Sequence, residues 1–134
     1  MLFTGEIKKW IDEMASYLRK QMGLDAQFSR SVAVFYLYLY QYGLSPTITS
    51  GYRSPDKQVE LQKRYLSGDQ SVVVKPATNS LHSKTDLLGN PAAMAVDIST
   101  SNPELSARIA TALGIGAGYY YKTPDRVHYY DKRG

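Results

Sequence analysis

Ala95-Val96-Asp97-Ile98-Ser99 is a short run of strand-forming residues with one carboxylate among apolar neighbours. Burying a carboxylate is costly unless it is paired or bound to a metal, so this strand marks both a core and a site. Downstream, Asn102-Pro103-Glu104 opens a helix whose Leu105, Ile109 and Leu113 share a face, and Gly114 closes it. The tail then reads as two strands, Gly118–Tyr121 and Arg126–Tyr130, joined by a turn over Lys122-Thr123-Pro124-Asp125. Upstream, residues 69–94 carry Pro, Asn, Ser and Gly and predict a long irregular loop, with Val72-Val73-Val74 as a short-strand candidate inside it.

Further upstream, Ser54-Pro55 opens a helix that Gly68 closes, with Ser as its cap and Pro in its first turn. Pro46–Tyr52 is a β-type run ending in a turn. Two helices precede it. The first covers residues 5–22, capped by Thr4 and ended by Gly23, with Ile7, Ile11, Met14, Leu18 and Met22 on one face. The second runs from Asp25 to about Tyr42, stopped by Gly43, with Phe28, Val32, Phe35 and Leu39 at helical spacing. Tyr36–Tyr40 also alternates like a strand, but the length of the segment favours a helix. The order is two helices, a strand, a helix, a long loop, a strand, a helix and a hairpin. Helices and strands do not alternate regularly, which predicts an α+β fold with a small, mostly antiparallel sheet flanked by helices.

The chain has 134 residues, one domain's worth, so residues 1–134 read as a single domain. With 43% hydrophobic and 21% charged residues, its composition is that of an ordinary globular domain. No run is apolar enough to span a membrane, and no secretory signal is visible at the start. Cysteine is absent, which excludes thiol catalysis and Cys-based zinc fingers. The net charge of +4 favours a polyanionic partner such as a cell-wall polymer. The basic residues are scattered rather than clustered, which argues against nucleic acid.

The chain holds two His residues, His82 in the polar loop and His128 in the last strand. Together with Asp97 they make a complete ligand set for a catalytic zinc ion, with a fourth position left for water. A carboxylate must then take a proton from that water. Asp125 and Asp131 each lie three residues from His128, on either side of it. In a flat strand that spacing puts side chains on opposite faces, so Asp125 needs a turn or bulge to serve. Pro124 makes such a turn plausible and gives Asp125 a slight edge.

Ser50-Gly51-Tyr52-Arg53-Ser54, then Ser80-x-His82, Ala95-x-Asp97 and Asp125-x-x-His128, in this order, resemble the zinc peptidoglycan peptidases. These are the D-alanyl-D-alanine carboxypeptidases, the vancomycin-resistance D,D-peptidases and the phage L-alanyl-D-glutamate endolysins, which share a fold with the hedgehog signalling domain. The resemblance covers roughly residues 30–131 and leaves the helix within 1–24 outside it. It implies His82, Asp97 and His128 as zinc ligands and Asp125 as catalytic base. It implies Arg53 as the group that holds a substrate carbonyl and stabilises the oxyanion, with Gln58 supporting Arg53 and Ser80 contacting the peptide.

The implied activity is hydrolysis of a bond in the peptidoglycan stem peptide, with the L-alanyl-D-glutamate endopeptidase type favoured. A D-alanyl-D-alanine carboxypeptidase and a non-catalytic, zinc-stabilised hedgehog-like binding domain are the alternatives. The expected protein is a monomer made in the cytoplasm, acting on the wall in phage lysis or as a virion component. One departure stands out. The family places its Asp about seven residues after the first His, whereas here the separation is fifteen (97 minus 82). The extra residues, roughly 83–92, are expected to form a flap on the substrate groove, and Asp86 among them is an alternative ligand.

Overall fold

The computed structural model describes residues 4–70, 72 and 80–134. Four helices stand where local signals put them. They are α1 (Gly5–Lys20), α2 (Ala26–Gln41), α3 (Pro55–Leu66) and α4 (Pro103–Ala112). Each is started by a side-chain cap. Thr4, Asp25, Ser54 and Asn102 accept hydrogen bonds from the backbone N–H groups of Ile7, Phe28, Lys57 and Leu105. The alternating tyrosines of residues 36–40 lie inside α2, because Phe28, Val32, Phe35 and Leu39 bury one continuous face of it.

Four strands form one antiparallel sheet: β1 (Thr47–Ser50), β2 (Ala95–Ser99), β3 (Gly116–Ala117) and β4 (His128–Tyr130), in the order β1-β2-β4-β3. The tail differs from its sequence reading. The strand partner of β4 is Gly116–Ala117, while Gly118–Tyr120 is a 3-10 turn. The carbonyl of Gly118 accepts the N–H groups of both Tyr121 and Asp125, which closes residues 118–125 into a compact loop. Val73 and Val74 of the short-strand candidate lie outside the described residues.

The pleat of the sheet separates core from site. Val96, Ile98, Ala117 and Tyr129 point to one face, where they join Phe35, Leu39, Ile11 and Leu18 of α1 and α2 in the buried cluster. Phe35 meets Tyr129 edge-on, with ring centres 4.8 Å apart. Asp97 is paired with both Ser50 and His128, and Tyr130 with Ala95, so these residues carry the other face. A cavity of about 950 Å³ lies on the helix side, between Trp10, Tyr36 and Ile48. It is therefore across the sheet from Asp97. No helix among the described residues is long and apolar enough to cross a membrane.

The residues inserted before β2 form a self-contained hairpin. Ala92 donates to Lys84, Thr85 bridges Pro91, and the Asp86 carboxylate accepts from the N–H groups of Leu88 and Asn90 at 2.9 Å each. These bonds, chiefly the one from Asn90, hold the Asp86 carboxyl below its usual range. Asp86 is thus occupied in closing its own turn, and the alternative in which it replaces Asp97 in the ligand cluster does not hold. Leu87 and Leu88 at the tip are fully exposed and cover nothing. The base of the hairpin is tied to the fold by Ala93 donating to Gly23 and Met94 donating to Leu81.

Candidate metal centre

Each residue of Ser50-Gly51-Tyr52-Arg53-Ser54 has a separate task. Ser50 Oγ accepts from Arg53 Nε at 2.8 Å. Gly51 passes so close to α1's end that a Cβ there would lie 2.3 Å from the Met22 carbonyl oxygen, which only glycine avoids. The Gly51 carbonyl in turn accepts from His82 Nδ1 at 2.8 Å. Tyr52 packs on the core, and its N–H donates to Met22. The Arg53 N–H donates to the His82 carbonyl at 2.9 Å, which locks the two segments together, and Ser54 caps α3.

His82 sits in a 3-10 turn, Leu81–Ser83, capped by Ser80, whose hydroxyl accepts from the His82 N–H. A carbonyl can only accept, so the bond to Gly51 puts a proton on Nδ1 of His82 and leaves the Nε2 lone pair facing inward. That Nε2 lies 3.2 Å from Asp97 Oδ1 and 3.3 Å from His128 Nδ1. His128 Nδ1 is 3.3 Å from the same Asp97 oxygen. All three residues are buried or nearly so.

Three lone-pair donors face one another here, an arrangement that calls for a cation between them. A tetrahedral ion with bonds of about 2.0–2.1 Å needs donors about 3.3–3.4 Å apart. The three observed separations match that edge length, so the residues fit zinc. Among the described residues this is the group of His, Asp and Glu side chains that could hold a metal ion.

The second Asp97 oxygen is taken by Arg53 Nη2, and Arg53 Nη1 donates to Gln58 Oε1 at 3.3 Å. Gln58 is fully buried behind the guanidinium. Arg53 is thus turned inward, orienting Asp97, with three of its five N–H donors engaged. Burial works to raise the Asp97 pKa. The imidazoles of His128 and His82 beside it and the Arg53 guanidinium outweigh it, and hold the carboxyl well below the usual carboxylate range.

Asp125 and Asp131 part company in the structure. Asp131 is held by the Arg133 backbone N–H and Nε, both at 2.9 Å, and the Arg133 guanidinium also reaches Asp25. Asp125 begins the turn that leads into β4. Its Oδ1 accepts from Val127, and its carbonyl accepts from the His128 N–H, both at 3.4 Å. The turn that the three-residue spacing requires is therefore present. Gly118 backs it: a Cβ there would lie 2.8 Å from the Asp125 carbonyl oxygen, 3.0 Å from His128 Cβ and 3.2 Å from Asp125 Cβ.

Two features of this centre escaped the sequence reading, the close approaches of Gly51 and Gly118 and the Ser50 bond to Arg53; beside them stands an aromatic wall of Tyr121 and Tyr130 against His128. The tyrosine-rich tail was the visible signal for that wall.

No family model matches the sequence, and no curated protein matches it. Solved structures do. The Serratia marcescens L-Ala D-Glu endopeptidase ChiX aligns over 97% of this chain and 89% of its own, with a TM-score of 0.56 and 16% identity. The vancomycin resistance D,D-pentapeptidase VanY from a VanB-type resistance cassette, solved as a mutant in complex with Zn(II), aligns over 81% of this chain and 72% of its own. Its TM-score is 0.55, at 18% identity. The ChiX alignment is long enough to reach into α1, beyond the span of the sequence motifs. With four helices packed on a four-stranded antiparallel sheet, the chain has the fold of these two peptidases, the hedgehog-like fold that the ordered motifs led us to expect.

Proposed function

We propose that the protein is a zinc metallopeptidase that hydrolyses a peptide bond in the stem peptide of peptidoglycan. The observation that carries this reading is the His82–Asp97–His128 triangle, with edges of 3.2, 3.3 and 3.3 Å, set in a fold shared with an L-Ala D-Glu endopeptidase and a D,D-pentapeptidase. When bound there, zinc supplies Lewis acidity toward a peptide carbonyl and lowers the pKa of water toward about 7. The chain's own residues do the rest. Asp125 accepts the proton of the attacking water and passes it to the leaving amine. Arg53, braced by Ser50 and Gln58, fixes Asp97, and the N–H groups it does not use on described residues are assigned to the substrate carbonyl. Ser80 caps the turn that aims His82, and its contact with the peptide is assigned from the sequence resemblance.

The L-alanyl-D-glutamate endopeptidase type is favoured over a D-alanyl-D-alanine carboxypeptidase. The alignment with ChiX takes in nearly all of both chains, which supports this choice. Action on the wall from within, in phage lysis or as a virion component, suits a basic chain facing an anionic polymer.

The test pairs the wild type with Asp125→Ala. Each is assayed for bound zinc, then incubated with purified peptidoglycan, and the products are identified by mass spectrometry. The expected result is one zinc in both proteins and defined stem-peptide fragments from the wild type alone. Zinc in both with cleavage by neither would favour the non-catalytic, hedgehog-like binding domain. A wild type without zinc would overturn the metal centre itself.

A further inference from the structure

Beside His128, three aromatic rings meet. Tyr121 lies 5.9 Å from the His128 ring and 5.9 Å from the Tyr130 ring, and Tyr130 lies 5.8 Å from His128. Tyr130 is pressed flat across β3, because a Cβ on Gly116 would fall 2.3 Å from its Cζ. That contact fixes Tyr130, and Tyr130 stacks on Tyr121 with 27° between the planes. Tyr121 is held from its backbone side as well, its N–H donating to Gly118 at 3.1 Å, in the loop that also positions Asp125. Its ring is nonetheless 41% exposed. Its hydroxyl lies within electrostatic reach of both Asp125 and the Tyr130 hydroxyl.

The donors around the cluster can be compared. Arg53 faces inward on Asp97, Ser50 and Gln58, and the Ser80 hydroxyl is engaged by the His82 N–H. Tyr121 carries an O–H from a partly exposed ring that lies beside His128 and is stacked on Tyr130. We infer that Tyr121 is a catalytic residue of this site: its Oη donates a hydrogen bond to the oxygen of the peptide carbonyl under attack. The bond strengthens as that oxygen gains negative charge, and Tyr130 is the positioning residue that holds the ring for it. This inference rests on the peptidase reading above.

The test uses Tyr121→Phe, which keeps the ring and its stacking and removes only the hydroxyl. Two readouts are taken on zinc-loaded protein: hydrolysis of purified muropeptides, and calorimetric binding of a phosphinate dipeptide, whose tetrahedral oxygens imitate the attacked carbonyl. Zinc content and Tm are measured alongside. The expected result is a kcat lower by on the order of 100-fold, with KM changed little. Phosphinate affinity should fall at least tenfold, with zinc content and Tm unchanged. Phosphinate binding and hydrolysis within twofold of wild type would overturn the role of Tyr121 while leaving the peptidase intact. A wild type that binds the phosphinate but cleaves no muropeptide would refute the substrate assignment alone, since the binding comparison still decides the role of Tyr121. A wild type that neither binds nor cleaves would overturn both.

Discussion

Adding one methyl group at Gly118 tests how tightly the loop carrying Asp125 is pressed against His128. An alanine Cβ there would stand 2.8 Å from the Asp125 carbonyl oxygen, 3.0 Å from His128 Cβ and 3.2 Å from Asp125 Cβ. Ordinary contact begins near 3.4 Å, so these neighbours must retreat by about 0.6, 0.4 and 0.2 Å. None is the end of a flexible side chain. The Asp125 N–H is bonded to Gly118 itself, so the loop cannot open on that side without breaking the bond. Overpacking of this kind costs about 1–3 kcal/mol. The narrower unfolded ensemble of alanine returns about 0.4–1 kcal/mol, which leaves a net loss of up to about 2.6 kcal/mol, centred on about 1. The effect on chemistry is larger in proportion. Catalytic groups tolerate displacements of about 0.5 Å, and a shift of about 1 Å costs on the order of 100-fold. Gly118→Ala is therefore expected to lower the rate of stem-peptide hydrolysis by about tenfold and to weaken zinc retention through His128, in a protein that still folds. The assay combines thermal melting, zinc content and hydrolysis. Gly5→Ala, with nothing within 4 Å of the new methyl, serves as the silent control. Wild-type melting and a wild-type rate for Gly118→Ala would refute the close packing argued for this loop.

Three further outcomes are expected. Arg53→Ala breaks a largely buried ion pair with Asp97 and should lower stability by about 3–5 kcal/mol in the zinc-free protein, read by urea denaturation, and weaken zinc binding about 10- to 100-fold. An unchanged zinc affinity would remove Arg53 from the support of the metal centre. Asp131→Ala should keep hydrolysis within about twofold of wild type, because Asp131 is bonded to Arg133 away from the cluster, and loss of turnover would return it to the role assigned to Asp125. Burial raises the Tyr129 phenol to about 12, so the folded state holds this proton after the unfolded chain has lost it. The associated stability is fully present below pH 10 and should fall by about 2–3 kcal/mol as pH rises from 10 through 12. The Tyr129 hydroxyl lies near Ser106 without a hydrogen bond of normal geometry, so Tyr129→Phe should fold as well as wild type and flatten this alkaline slope.

The helices were legible because their signals are local. Thr4, Asp25, Ser54 and Asn102 each cap the helix that follows them, and apolar residues recur at helical spacing. Strand β2 was legible to the residue, since Ala95–Ser99 is bounded by a polar loop and a capped helix. The tail misled. Gly118-Tyr119-Tyr120-Tyr121 has the aromatic content of a strand, yet Gly118 must approach Asp125 and His128, and that contact turns the chain into a 3-10 turn. The meeting of His82, Asp97 and His128 was legible in residue types, because two imidazoles and a carboxylate in an apolar strand ask for one another. The support around them was not. The bonds of Gly51 to His82 and of Ser50 to Arg53, and the crowding at Gly118, arise where separated segments meet, and no local pattern encodes them. The bond of Asp131 to Arg133 was equally invisible, because no spacing rule contains it.

The hairpin between His82 and Asp97 has a consequence for how such sites are found and altered. Its two legs are joined at Lys84 and Ala92, so the ligands on either side do not sense how many residues lie between. Spacing along the chain is therefore a poor search key for this metal centre, and a pattern that fixes the distance from His to Asp would pass it by. The same closure makes the Leu87-Leu88 tip a natural point of grafting. Foreign sequence entered there would hang from a sealed stalk, leaving the ligand cluster at its base undisturbed.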